Sequence, residues 1–318
     1  MNYIHNFNQY QYQYYNRSFL EKSGEEYDEF FTDTALGDKG KSYKDYIEFY
    51  NNLTLDNLSE IFNIHDKGAF SDHISKSIPG HKEVQKMTAY GVSKILKSKK
   101  NPIVLDIGGS DNLWSKTVTE FSNFKIKSVT IDPNSTMKEI SEKISKVTGN
   151  EYKLRSFMDP YDDIQPLEED DKFDCIHESM TFQFISAGRG SQIKYLKDKL
   201  LKKGGFVLLE EKLFNDNWEK FEKLKDEYKK HYFSEKEIIK KSKKILKNGM
   251  NKNLISERKM ENILSKNFKF YQKYWDGGNF MGYIASDKKI KIDKFLTHVR
   301  IPSFINSLTS FFKRVKSY

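Results

Sequence analysis

Asp106, Asp132 and Asp159 each follow an expected strand: the apolar run Pro102 to Leu105, then Ile126 to Ile131, and a stretch near Tyr152 to Ser156. Runs of this length, bounded by turn residues, read as buried parallel strands. In a doubly wound sheet the carboxyl ends of the strands converge on one ligand crevice. Three acids there could accept hydrogen bonds from a nucleoside. Asp132 is the candidate for the ribose hydroxyls and Asp159 for the amino group of adenine. Asp106 leads into Gly108-Gly109-Ser110, where glycine permits a tight turn and a close approach of ligand to backbone. No Gly-x-x-x-x-Gly-Lys-Ser/Thr loop occurs, so the pattern suits a nucleoside ligand without phosphates. Two plainer readings stay open. Asp-x-Gly is also an ordinary strand-to-helix turn, and Asp132 and Asp159 could simply cap helices.

The elements that must position these acids alternate along the chain. Expected strands are 102–107, 126–131, 152–156, 173–177 and 206–210. Expected helices are 82–97, 113–122, 135–148 and 191–202. Such alternation implies an α/β fold with a parallel sheet covered on both faces. A charged helical insertion follows from Trp218 to about Leu246, then a helix from Ile255 to Leu264. Two strands, Phe268 to Tyr274 and Phe280 to Ala285, flank a Gly277-Gly278 hairpin turn. The Gln/Tyr-rich start, Asn8 to Tyr15, reads as an arm. Helices are expected near 43–50 and 56–62. The chain thus divides into an N-terminal extension, 1–66, a ligand-binding domain, 67–287, and a basic tail, 288–318.

Composition narrows the class. Cys175 is the sole cysteine, which excludes an intrachain disulfide and a cysteine-built zinc site. No run approaches the ~18 apolar residues of a membrane span, and Met1 to Asn6 lacks the layout of a secretory signal. A cytoplasmic protein is the simplest reading. Lys288 to Tyr318 carries eight Lys/Arg against one Asp, so +7 of the net +9 lies in the tail. Phe304, Leu308, Phe311 and Phe312 share a helical face beside its basic end. This tail suits an anionic surface, membrane or RNA, or docking on its own domain.

In order and spacing, several segments resemble class I S-adenosylmethionine methyltransferases, most closely the carboxy-S-adenosylmethionine synthase branch that serves transfer RNA wobble-uridine modification. They are Ser77-Ile78-Pro79-Gly80, Leu105 to Ser110, Ile131 to Ser135, Thr181 to Phe184, Lys203 to Leu208, Glu211-Lys212, Phe233 to Ile238 and Asn279 to Gly282. The resemblance covers about Phe70 to Ala285. It implies a Rossmann-like seven-stranded methyltransferase sheet and S-adenosylmethionine, or its carboxylated form, as cofactor. It implies that Asp106, Gly108, Gly109 and Ser110 line the methionine end, that Asp132 meets the ribose and Asp159 the adenine, and that Ser179 lies near the sulfonium. The chain departs from the pattern at Ser110 and Asn112, where the family's second and third glycines stand, although the synthase branch shares the serine. It departs again at His81, which replaces a tyrosine, and at Ser242, where the synthase branch has a carboxylate-gripping arginine. Serine cannot form that bidentate charged pair; Lys241 or Lys243 could substitute only as point charges.

Methyl transfer requires in-line alignment, exclusion of water and, for a neutral acceptor, a base. His81, after the Pro-Gly turn, and Glu211, after strand 5, are the candidates to line the acceptor pocket. His177, Glu178 and Glu210 lie near the same edge. A plain hydrogen-bonded histidine, or a local Glu211-Lys212 ion pair, is the alternative. His65 and His73, with Asp66 and Asp72 between them, lack ligand spacing, so no metal is expected. The acceptor is expected to be a small molecule or RNA, and a homodimer is left open. A catalytically silent cofactor-binding module is the rival from another class.

Overall fold

The computed structural model describes residues 70–133, 135–159, 164–168, 171–185, 187–239, 242 and 253–290. The N-terminal arm and helices expected within 1–66, and the tail from 291 on, lie outside the described residues.

Two helices open the described chain: α1 (Phe70–Ser77) and α2 (His81–Leu96), separated by Pro79 and by Gly80 at φ 78°. The parallel strands are β1 (Ile103–Ile107), β2 (Lys127–Asp132), β3 (Glu151–Leu154), β4 (Phe173–Ser179) and β5 (Leu201–Lys212). Between them run α3 (Leu113–Phe121), α4 (Ser135–Thr148) and α5 (Arg189–Tyr195), the last continued by a widened turn, Leu196–Leu200. After β5 come α6 (Trp218–Lys229), α7 (Glu257–Asn267) and the hairpin β6 (Phe270–Asp276) and β7 (Phe280–Ser286). The sheet order is β3-β2-β1-β4-β5-β7-β6, with β7 antiparallel to both its neighbours. Five parallel strands flanked by helices and closed by an antiparallel hairpin make a doubly wound α/β, Rossmann-like sheet of seven strands, as expected.

Both faces of the sheet are apolar because both are covered. Val104, Cys175, Phe206 and Leu208 face α2 and α3, packing on Val84, Met87, Val92, Leu96, Trp114 and Val118. Leu105, Ile107, Ile176, Val207 and Leu209 face the other way, against Ile193, Leu196, Met260 and Leu264. The α2 positions recur every three or four residues, the spacing of one helical face.

Three boundaries differ from expectation. β4 runs on to Ser179, because its polar end still pairs with β1 and β5. The Lys202-Lys203-Gly204-Gly205 turn lies inside β5: Phe173 pairs with Leu201 and Cys175 with Phe206, so these four residues form a wide bulge, with Gly204 at φ 78°. β3 ends at Leu154, and Ser156 instead bridges to Pro166. The charged insertion is helical over Trp218–Lys229 and turns at 230–233. A second short helix, 235–239, then starts from Ser234, whose hydroxyl and amide both contact the Glu237 carboxylate in a capping box.

Candidate active site

The β1 turn is fixed by contacts that leave no room for side chains. Gly108 has φ 67°, and a Cβ there would lie 2.2 Å from Thr181 Oγ1; one on Gly109 would lie 2.5 Å from Asp106 Oδ2. Ser110 and Asn112 adopt φ 46° and 58°, values that glycine takes at no cost. Local bonds hold them there. The Ser110 amide donates to Asp132 Oδ2 at 3.0 Å, and Ser141 Oγ donates to the Ser110 carbonyl. Asn112, fully buried, donates to Ser145 Oγ at 2.7 Å and accepts from Thr130 Oγ1. The third glycine position is therefore taken by a side chain wired into β2 and α4.

Asp106, Asp132 and the loop they flank are thus brought together at the carboxyl edge of β1 and β2. Asp159 is not held with them. It lies past the end of β3, exposed, because the chain leaves the strand at Leu154. The Asp132 carboxylate holds the loop amide of Ser110. Asp106 is 2% exposed, and its Oδ2 makes no hydrogen bond.

A row of charged groups crosses the sheet on the face covered by α2 and α3. His177 Nδ1 donates to Asp106 Oδ1 at 2.7 Å, and its Nε2 lies 3.5 Å from Glu210 Oε1. Glu210 also accepts from Ser179 Oγ at 2.8 Å, Tyr274 Oη at 3.0 Å and Gln85 Nε2. Trp114 stacks on the His177 ring at 3.9 Å and donates its indole N–H to Thr88. Burial opposes a charge on His177, but the charge and hydrogen bond of Asp106, then the nearby Glu210 carboxylate, outweigh it and raise its pKa to about 10. An imidazolium held between two carboxylates, with an indole on its face, satisfies itself electrostatically. Burial raises Asp106, whereas the His177 contact outweighs burial and lowers Glu210.

His81, at the start of α2, belongs to this group. Burial lowers it to about 4, with Glu210 opposing and His177 adding to the fall, so it is neutral at pH 7. Its Nδ1 has no hydrogen-bond partner. The acid that faces His81 is Glu210 rather than Glu211. Successive strand residues point to opposite faces, and Glu211 lies buried on the other side, paired with Arg189 at 2.8 Å. Glu211 therefore does not line a pocket with His81, nor does it pair with Lys212, whose partner is Glu222 at 3.2 Å. Glu178 shares that second cluster and caps the turn after β4, accepting from the amides of Thr181 at 2.6 Å and Phe182 at 2.9 Å. Burial raises Glu178 to about 7 and Glu211 well above its ordinary value, with Glu178 adding to the latter. One arginine between two buried carboxyls balances the charge when they share a single proton.

Gln85, Trp114 and Tyr274 are members of the site that the sequence did not reveal. Gln85 alone left a signal, four residues after His81 on one helical face. His65 and Asp66 lie outside the described residues. Among the described residues no group of three or more His, Cys, Asp or Glu is arranged to hold a metal, and no helix is long and apolar enough to cross a membrane.

No family model matches this chain, and no curated protein matches it. Solved structures do overlap it. The plantazolicin methyltransferase BpumL, in complex with a monoazolic desmethylPZN analogue and SAH, shares 12% identity over 76% of this chain and 97% of that one, with a TM-score of 0.49. The YcgJ protein of Bacillus subtilis shares 17% identity over 59% and 70%, with a TM-score of 0.40. The CurJ carbon methyltransferase shares 13% over 64% and 54%, with a TM-score of 0.45. At such identities and scores they fix no function; the fold assignment rests on the strand order itself.

Two outcomes are expected from the charged groups. Because the folded pKa of His177 lies above the unfolded value of roughly 6.5, its stabilisation is complete below that pH and is lost as pH rises through about 10. The melting-temperature gap between the native protein and His177→Gln will therefore be widest near pH 6 and shrink steadily to pH 10. Arg189→Met leaves two buried carboxyls without a cation and will cost about 3–5 kcal/mol in urea unfolding at pH 7. That deficit will narrow at pH 5, where both carboxyls are protonated in the folded variant.

Proposed function

We propose that this chain is an S-adenosylmethionine-dependent methyltransferase. The observation that carries the reading is the loop after β1, held by Asp132 at Ser110 N in a sheet whose last strand but one in space, β7, is reversed. The residues present fit the cofactor. Asp106 Oδ2, buried at the carboxyl edge of β1, is an acceptor with no donor. Asp132 accepts the ribose hydroxyls, Gly108, Gly109 and Ser110 follow the methionine end, and Ser179 lies toward the sulfonium. Asp159, exposed beyond β3, stands apart from this group, and its adenine role rests on the resemblance alone.

The cofactor, when bound, supplies an electrophilic methyl group. The chain's own part is to align an acceptor and to take its proton. His81 carries a neutral imidazole with an unbonded Nδ1, and Glu210 beside it stabilises the charge that protonation would bring. Gln85, Ser179 and Tyr274 hold Glu210 in place. Nothing favours the carboxylated cofactor: Ser242 stands at the expected arginine, and Lys241 and Lys243 lie outside the described residues.

Isothermal calorimetry with S-adenosylhomocysteine tests the assignment. The native chain will bind, and Asp132→Ala will weaken binding about 10–100-fold, the loss expected for one or two hydrogen bonds to a carboxylate. Asp132→Asn, which still accepts from the Ser110 amide, will lose less. No heat with the native chain would end the proposal. Mass spectrometry of nucleoside co-purified with the protein will show no added carboxylate.

A further inference from the structure

The turn after β4 closes on the loop after β1. Thr181 Oγ1 donates to the Ile107 carbonyl at 3.2 Å and fills the space beside Gly108. Met180, just before it, adopts φ 56°, a left-handed conformation that is costly for a bulky side chain. The turn keeps this shape because it is tied on both sides. The Met180 amide donates to the Glu210 carbonyl at 2.7 Å. Glu178 Oε1 takes the amides of Thr181 and Phe182. Gln192 donates to the Phe182 carbonyl at 3.3 Å, and Asn253 to those of Gln183 and Ile185 at 3.1 and 3.0 Å.

Glu178 joins this turn to a buried charged group. It points toward the face of Glu211, which stands two residues beyond its register partner Leu209 on β5. The two carboxyls are fully buried and in hydrogen-bond contact. Two carboxylates are both acceptors, so that contact requires a proton. Glu178 Oε2 and Glu211 Oε1 have no other partner, and one proton between them satisfies both. Arg189 donates to Glu211 Oε2 and to Gln192, with its guanidinium 5.3 Å from the Phe182 ring centroid. Its charge also reaches Glu178. The other titratable groups that act on the pair, His177 and Tyr274, do so from the opposite face. Besides Arg189 and Gln192, the helices on this face add apolar side chains, Ile193, Met260 and Leu264.

We infer that Glu178, Glu211 and Arg189 are positioning residues for the loop after β1: a proton held between the two buried carboxyls locks the turn after β4 against Gly108, and opening the turn releases that proton to solvent. The link to cofactor binding rests on the methyltransferase reading; the lock does not. Burial raises Glu178 to about 7 and Glu211 well above its ordinary value, whereas an exposed glutamate ionises near roughly 4.3. The lock is therefore at full strength below that exposed value and weakens as pH rises through about 7. His81, at about 4, and His177, at about 10, titrate outside the range pH 5 to 8.

Hydrogen exchange of the full chain, read by peptide mass spectrometry and divided by the intrinsic rate at each pH, tests the lock. From pH 5 to pH 8 protection of 180–185 and 107–112 will fall about tenfold or more, as release of one proton requires, while β7 stays unchanged. In Glu178→Gln the side-chain oxygen still accepts from both amides, and its N–H donates to Glu211 at every pH. The fall there will be less than about threefold. Should that variant not fold, Glu211→Gln supplies the donor from the other side. A flat native profile, an equal fall in β7, or a variant profile that matches the native one would overturn the inference. Calorimetry with S-adenosylhomocysteine on the same samples separates the two readings. Its dissociation constant will rise about tenfold over this range in the native chain and less in Glu178→Gln. Weaker protection with unchanged affinity overturns the positioning role. No binding at any pH ends the methyltransferase reading, and exchange still decides the lock.

Discussion

Three adjacent strands, β1, β4 and β5, put an acid, an imidazole and an acid on the same face, and the middle group bridges the outer two. Each alone would be costly in a sheet interior. Together they turn a liability into a brace. Asp106 and His177 sit directly opposite in register, and Glu210 pairs with Ser179, two residues on. The brace also fixes the covering helices. Gln85 ties α2 to Glu210, and Trp114, lying on His177, ties α3 to Thr88 of α2. The position of the loop between β1 and α3 follows from these contacts.

That loop shows how backbone conformation can be retained after glycine is lost. Asn is among the few residues that tolerate the left-handed region, and at 112 its amide is bonded at both ends. Ser110 is held through its own backbone, N–H to Asp132 and carbonyl from Ser141. The conformation is set by neighbours rather than by intrinsic freedom. Such a loop is rigid before any ligand arrives, and this lowers the ordering cost of binding.

The strands of the sheet were legible because buried parallel strands leave apolar runs and because turn residues separate them, whereas their order in space came only with the resemblance. Strand ends were less so. His177, Glu178 and Ser179 are polar, yet they keep the ladder, so hydropathy stops before the hydrogen bonds do. The choice between Glu210 and Glu211 could not be read at all. In Phe206-Val207-Leu208-Leu209 both faces are apolar, so no alternation marks which acid turns toward α2. The end of β3 at Leu154 rather than Ser156 was not legible either, so Asp159 stands further past the strand than expected. Trp114 and His177 are far apart in sequence, and only the packing of α3 on the sheet stacks them.

Asn279, at the tip of the β6–β7 hairpin, is 1% exposed and donates to the Trp218 carbonyl and to Glu222, while its own carbonyl accepts from Leu213. Phe221 presses on Gly278 beside it. The first turns of α6 are thereby stitched to the antiparallel edge of the sheet. Opening either the helix or the hairpin tip would break the hydrogen bonds that Asn279 makes between them.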